Sequence, residues 1–161
     1  MFREMRRRDR ELSTQEAREI LGRADHGILA TIGDDGWPYA VPLNHVLVDD
    51  VLYIHCATEG HKLENLANEE RVSYCAVATA KVMPSLLSTI YESAVVFGRA
   101  RLVTDAEEKR QALMAMIARF CGDSYTQTEE AFRKYGNATA VIRIQIDRIT
   151  GKAHHPARAS S

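Results

Sequence analysis

Cysteine is scarce in this chain: Cys56, Cys75 and Cys121 make an odd set with no CxxC pair and no metal-ligand spacing. That excludes a disulfide framework and sets a reducing, cytoplasmic compartment as the expectation. Aromatic residues reach only 7%, too few for a platform that stacks single-stranded nucleic acid. Net charge is −1, so no overall field draws the chain to nucleic acid or to an anionic membrane. No apolar run approaches the roughly 18–20 residues of a membrane-spanning helix. The basic N-terminus has no apolar stretch behind it, so no signal peptide is expected. There is no GxSxG nucleophile elbow, no GxGxxG and no Walker loop, which leaves serine hydrolysis and the common nucleotide folds without their signatures.

What remains is an ordinary globular composition, 45% hydrophobic and 27% charged over 161 residues, enough for one domain with one core. Residues 1–10 read as a basic arm carrying Arg3, Arg6, Arg7, Arg8 and Arg10, and such runs are most often solvated tails. Ser13-Thr14-Gln15-Glu16 is a capping box that opens a helix with Ala17, Ile20, Leu21 and Ala24 on its apolar face. Strands follow over 27–32, 37–48 and 51–57, joined by the turns Gly33–Gly36 and Asp49-Asp50, which predicts an antiparallel meander. Pro38 and Pro42 confine the second of these to an edge or a bulge. A short helix starts near His61, a strand spans 71–80, and 81–88 reads as a loop. The β-rich stretch 89–103 contains Gly98, which predicts a bend or bulge. Asp105 caps a helix to about Phe120 whose core face is Ala112, Leu113, Met116, Ile117 and Phe120. Residues 129–135 predict a further helical turn or two, 138–149 a last strand, and 151–161 a flexible tail. The fold class is therefore mainly β with α: six strands in an antiparallel barrel with helices over its ends or seam.

The most informative stretch is Tyr53 to Asn65, a strand that stops at Thr58-Glu59-Gly60 and runs into the helix at His61. A helix N-terminus offers unpaired amides and the positive end of the dipole, and His61 and Lys62 stand on its first turn. An anion such as a phosphate suits such a place; a polar surface turn with a basic pair is the commoner explanation. His45, His55 and His61 match no common zinc spacing, so no metal site is expected. His154-His155, beside Pro156, reads as part of the disordered tail. His55 is a lone polar residue in an apolar strand and Asn44 is similar, one hairpin away. Adjacent antiparallel strands can bring this imidazole and amide to one face, beside the basic helix start, to hold a planar ligand with a phosphate tail. Core polar residues satisfied by backbone partners are an equally good reading.

Three segments, Gly27-Ile28-Leu29-Ala30-Thr31, Gly36 to Asn44 and His55 to Lys62, resemble the flavin-binding split-barrel superfamily. Within it they look most like the Nim-type 5-nitroimidazole reductase group of pyridoxamine-phosphate-oxidase-like proteins. Tyr91 to Ala100, followed by the Glu108-Lys109 helix, continues a likeness that runs from Arg6 to Lys152. The resemblance implies a six-stranded antiparallel split barrel of the FMN-binding type, working as a homodimer with FMN at the interface. His61 and Lys62 would hold the phosphate; Pro42, Leu43 and Asn44 would run beside the ring system, and His55, Cys56 and Ala57 beneath it or the ribityl chain. Ser93 stands where split-barrel oxidases carry a flavin-reaching side chain. His55 would be the catalytic residue, serving a reductase of small electron-poor compounds such as nitroimidazoles and nitroaromatics. The tail Gly151 to Pro156 lacks the aromatic and arginine residues that close the vitamin oxidases' substrate site, which argues for a more open pocket. A deazaflavin- or haem-related oxidoreductase and a non-catalytic flavin sensor are the alternatives.

Overall fold

A computed structural model describes residues 2–122, 132 and 136–155. The first helix, α1 (Thr14–Arg23), begins as its sequence dictates: Ser13 accepts the Glu16 amide, and the Glu16 carboxylate accepts the Ser13 amide at 2.8 Å. The strands are β1 (Glu11–Leu12), β2 (His26–Ile32), β3 (Pro38–Asn44), β4 (Val46–Val48), β5 (Val51–Ala57), β6 (Arg71–Met83), β7 (Ser88–Leu102) and β8 (Thr139–His154). Between them lie α2 (His61–Asn68) and α3 (Ala106–Phe120). All strand pairs are antiparallel, in the order β3-β2-β6-β7-β8-β5-β4, with β1 added on β8.

The period-2 pattern decides which side is inside. Leu29, Tyr74, Ala76, Ala94, Val96, Ile142 and Ile144 turn into the curled sheet and meet Ala17, Ile20 and Leu21 of α1, which fills the concave side. Ile28, Ile32, Val77 and Phe97 stand on the opposite, outward side and stay exposed. This is an antiparallel split barrel with three α-helices among the described residues. A smaller cluster of Val103, Ala112 and Val141 seats α3 on the outside, its N-terminus capped by Asp105, which accepts the Glu108 amide at 2.7 Å. Phe120, expected on the core face of α3, is exposed.

The described residues form eight strands, not six, for two physical reasons. The Glu11–Leu12 pair joins the sheet beside Gly151 and Lys152, and the expected strand 37–48 breaks at His45 into β3 and β4. The break also undoes the meander: β3 pairs with β2, and β4 pairs with β5 at the other end of the strand order. Pro38 and Pro42 do lie on an edge strand, where a missing amide costs no ladder bond. The expected loop 81–88 shortens to a single 3-10 turn, Pro84–Leu86, because the β6–β7 ladder continues to Met83 and Ser88. The expected tail begins as strand: β8 runs through His154, paired to Tyr91, and His154 lies 3.1 Å from Ser88 Oγ. The arm, mostly exposed along its length, touches the barrel at both ends: the Phe2 ring lies 5.3 Å from that of Phe97, and Arg10 donates to the Tyr91 hydroxyl at 3.2 Å. The helical turn expected over 129–135 lies outside the described residues, Phe132 apart.

Candidate functional site

Strand β5 alternates cleanly. Leu52 and Ile54 are buried, Cys56 packs partly against the core, and His55 and Ala57 face out. The strand stops at Gly60, whose φ of 122° and ψ of 166° suit glycine and strain any side chain. Gly60 is the N-cap of α2 and supplies no side chain to cap it. The amides of Leu63 and Glu64 turn back onto the Gly60 carbonyl at 2.8 and 3.3 Å. Those of His61 and Lys62 have no partner among the described residues, so they project forward with the positive end of the dipole.

Two contacts fix this end of α2 in place. Asn65, fully inside, donates to Thr31 Oγ1 of β2 at 2.9 Å. The His61 ring packs on Tyr39 of the edge strand β3, centroids 4.3 Å apart. Lys62 lies close enough to Cys56 to act on it: burial pushes the Cys56 thiol up, and the Lys62 charge pulls it partly back. A cationic, amide-lined notch therefore sits where β5, α2 and the β3 edge converge. Tyr39 is a member that sequence reasoning missed; its place in a period-2 strand ahead of Pro42 was the available signal.

The remaining expected residues divide. On β3, Pro42 and Asn44 are exposed while Leu43 turns inward to the core. Asn44 does not stand across from His55. The β4–β5 ladder ends at Val46 and Tyr53, and Asn44 pairs with His26 and donates its amide to Asp25 O at 2.8 Å. That leaves Asn44 Oδ1 as its free acceptor. Ser93 is half-buried on β7, opposite Val77 and Lys152. Two strands separate β7 from β3, so at ~4.8 Å per step Ser93 lies about 14 Å from the β3 edge measured along the curled sheet. Along the sheet Ser93 is therefore remote from the β3 side of the notch, and two steps through β8 from β5. Among the described residues no group of three metal-ligating side chains gathers.

His45 belongs to the core. It is 0% exposed, with Nε2 2.7 Å from Leu21 O and Nδ1 2.9 Å from the Tyr74 hydroxyl. Burial holds its imidazole down to about 4, the Leu21 carbonyl opposing. Burial also raises the Tyr74 phenol well above its usual range.

The outward side of the sheet next to the notch is apolar and small. Register lines up Pro42, Ile28, Cys75 and Val95 in one row across β3, β2, β6 and β7, with Val77 and Ser93 in the next. Exposed apolar patches of this kind mark interaction surfaces.

Among known structures the chain is similar to a candidate 5-nitroimidazole antibiotic resistance protein from Bacteroides thetaiotaomicron. The two are 28% identical with a TM-score of 0.73, over 88% of this chain and 85% of that one. It is also similar to the FAD and heme binding protein from Mycobacterium smegmatis, at 26% identity and a TM-score of 0.75 over 92% and 75% of the two chains. The conserved protein Rv2991 from Mycobacterium tuberculosis shares the fold, with a TM-score of 0.80 at 20% identity over 98% and 99%. No curated protein matches the sequence. The model of the pyridoxamine 5′-phosphate oxidase family matches residues 13–153, nearly the whole of the described barrel, and the chain belongs to that family.

Proposed function

We propose that this chain binds FMN and, as a homodimer with FMN at the subunit interface, reduces small electron-poor compounds such as nitroimidazoles and nitroaromatics. The observation that carries the reading is the uncapped N-terminus of α2, with free amides at His61 and Lys62 and a lysine charge beside them. That donor set fits a terminal phosphate. The 28% identity to a candidate nitroimidazole resistance protein supports the substrate class. The flavin would supply hydride or electron transfer.

The residues would act as follows. Lys62 and His61 hold the phosphate against the helix end. Asn44 offers its free Oδ1 to the polar edge of the ring system. A second copy, packed on the apolar face around Ile28, Val77 and Phe97, excludes water and brings its own Ser93 to the β3 side of the notch. His55, outward on β5, is the group placed to hand over a proton, because an imidazole ring nitrogen can donate or accept one.

Lys62→Ala should weaken FMN binding about tenfold to a hundredfold, the worth of one charge-assisted hydrogen bond. A fluorescence titration reads this, and an unchanged dissociation constant would contradict the phosphate site. His55→Gln should keep FMN affinity while slowing turnover of a nitro compound about a hundredfold. Equal turnover would remove His55 from the chemistry. Extraction of the bound cofactor separates FMN from FAD and haem, the pair named for the Mycobacterium smegmatis neighbour.

A further inference from the structure

On the outer surface of β7 and β8, away from the α2 notch, the sheet carries a like-charge contact. Register sets Arg101 directly opposite Arg143 and Arg99 opposite Gln145, with Arg71 facing Arg99 from β6. Directly opposed like charges destabilise a sheet. Four acids answer part of this charge. Glu69 grips Arg71, Glu70 and Asp147 lie 3.7 and 3.5 Å from Arg99 Nε, and Glu108 lies 3.5 Å from Arg143 Nε. Arg101 has no acidic partner among the described residues. Arg143 donates to Gln145 Oε1 at 3.1 Å, but its Nε makes no hydrogen bond although the side chain is only 19% exposed. Between these side chains lies a cavity of about 260 Å³ lined by Glu70, Arg99, Arg101, Arg143 and Gln145.

We propose that this cavity is an anion site for a small phosphate-bearing ligand bridging Arg101 and Arg143. Opposed residues on neighbouring strands have Cβ atoms about 4.5–5.5 Å apart, so two guanidinium forks can converge on one phosphate. Arginine forks match phosphate oxygens two at a time, and a bound anion supplies the charge that the Arg101–Arg143 pair lacks. The volume suits a group the size of pyrophosphate, below the usual range for larger organic ligands. Glu70 on the rim disfavours bulkier polyanions by repulsion. The ligand is either inorganic or a phosphate ester, and both share this chemistry.

The test is calorimetric titration of the full chain with pyrophosphate, and separately with a sugar monophosphate, at ionic strength held constant with sodium chloride. Wild type, Arg101→Gln and Lys62→Ala are compared. Saturable binding that survives Lys62→Ala and weakens at least about tenfold in Arg101→Gln supports the site, and the tighter of the two probes identifies the source. In the same buffer without pyrophosphate or sugar phosphate, Arg101→Gln should melt no lower than wild type, since it relieves repulsion and empties no buried space. Binding lost in Lys62→Ala but kept in Arg101→Gln would put the anion at α2 and overturn the proposal. Absence of saturable binding of either probe to wild type would overturn it as well, without touching the FMN reading.

Discussion

Gly98→Ala should destabilise the protein by about 3 kcal/mol or more, lowering the midpoint of thermal unfolding by roughly 6–12 °C for a chain of this size. Gly98 stands where the β7–β8 register shifts, between Phe97 opposite Arg148 and Gly98 opposite Ile146. A Cβ there would drive well inside contact distance of the Gln145 carbonyl oxygen and meet Ile144 Cγ2 at 3.0 Å. The first obstacle is backbone, so no rotamer change relieves it. Relief requires moving β8, which is paired to β1, β5 and β7 at once. Gly22→Ala is the matched control: a Cβ there meets nothing within 4 Å, and the residue sits inside α1. Because Gly22 lies in the last turn of α1, that change should stabilise by at most about 0.5–1 kcal/mol, the helix-interior difference between the two residues. Equal effects from the two substitutions, read by chemical denaturation, would show that the close approach at Gly98 carries no energy.

Gly98 also marks how far the sequence could be read. A glycine inside a β-rich run signals a bulge because only a missing Cβ tolerates such an approach, and the register shift is there. The Ser13–Glu16 box, the Asp105 cap, the α2 start at His61 and the edge position of Pro38 and Pro42 were legible for the same reason, since each is decided within a few residues. Partners far apart in sequence were not. Nothing in the run 37–48 says that Asn44 will pair with His26 while Val46 pairs with Tyr53, and that choice separates Asn44 from His55. Arg10 meets Tyr91 across 81 positions, so the arm looked like a solvated run. The notch divides in the same way. His61 and Lys62 were legible as the first turn of a helix after a glycine. Tyr39 entered the notch through tertiary packing alone, and Ser93 lies remote from its β3 side along the sheet.

Acidification from pH 6.5 to 4 should cost the protein about 3 kcal/mol through His45 alone. A shift from 6.5 to about 4 at 1.36 kcal/mol per unit gives that figure. Neutral His45 donates Nε2–H to Leu21 O, and the Tyr74 hydroxyl lies 2.9 Å from Nδ1 and 2.8 Å from Leu43 O. The three short contacts therefore share two protons, one on the ring and one on the phenol. Burial is the main force holding the imidazole neutral. The Leu21 carbonyl works against it; the charges of Arg119 and His26 add to it, and Asp25 opposes. Arg119 cannot swing away, because it donates to Gly22 O and, at 2.7 Å, to Ala24 O at the end of α1. Between pH 6.5 and 4 the unfolded chain binds a proton at this position that the folded chain refuses, so stability rises with pH. The contribution is whole above 6.5 and gone below 4. Asp9 and Glu69, held near 2 by hydrogen bonds from Arg7 and Arg71, stand at the surface and begin to lose their effect only as pH falls through their ordinary values of 3.8 and 4.5, so they touch only the acid end of the window. His45→Gln can still donate to Leu21 O and accept from Tyr74 while titrating nothing. Urea unfolding of that variant should show a nearly flat stability from pH 6.5 to about 5, where Glu16, Glu69 and Glu92 remain mostly ionised, at some loss of stability near neutral pH. An unaltered slope would assign the acid sensitivity to another group and leave His45 as packing alone.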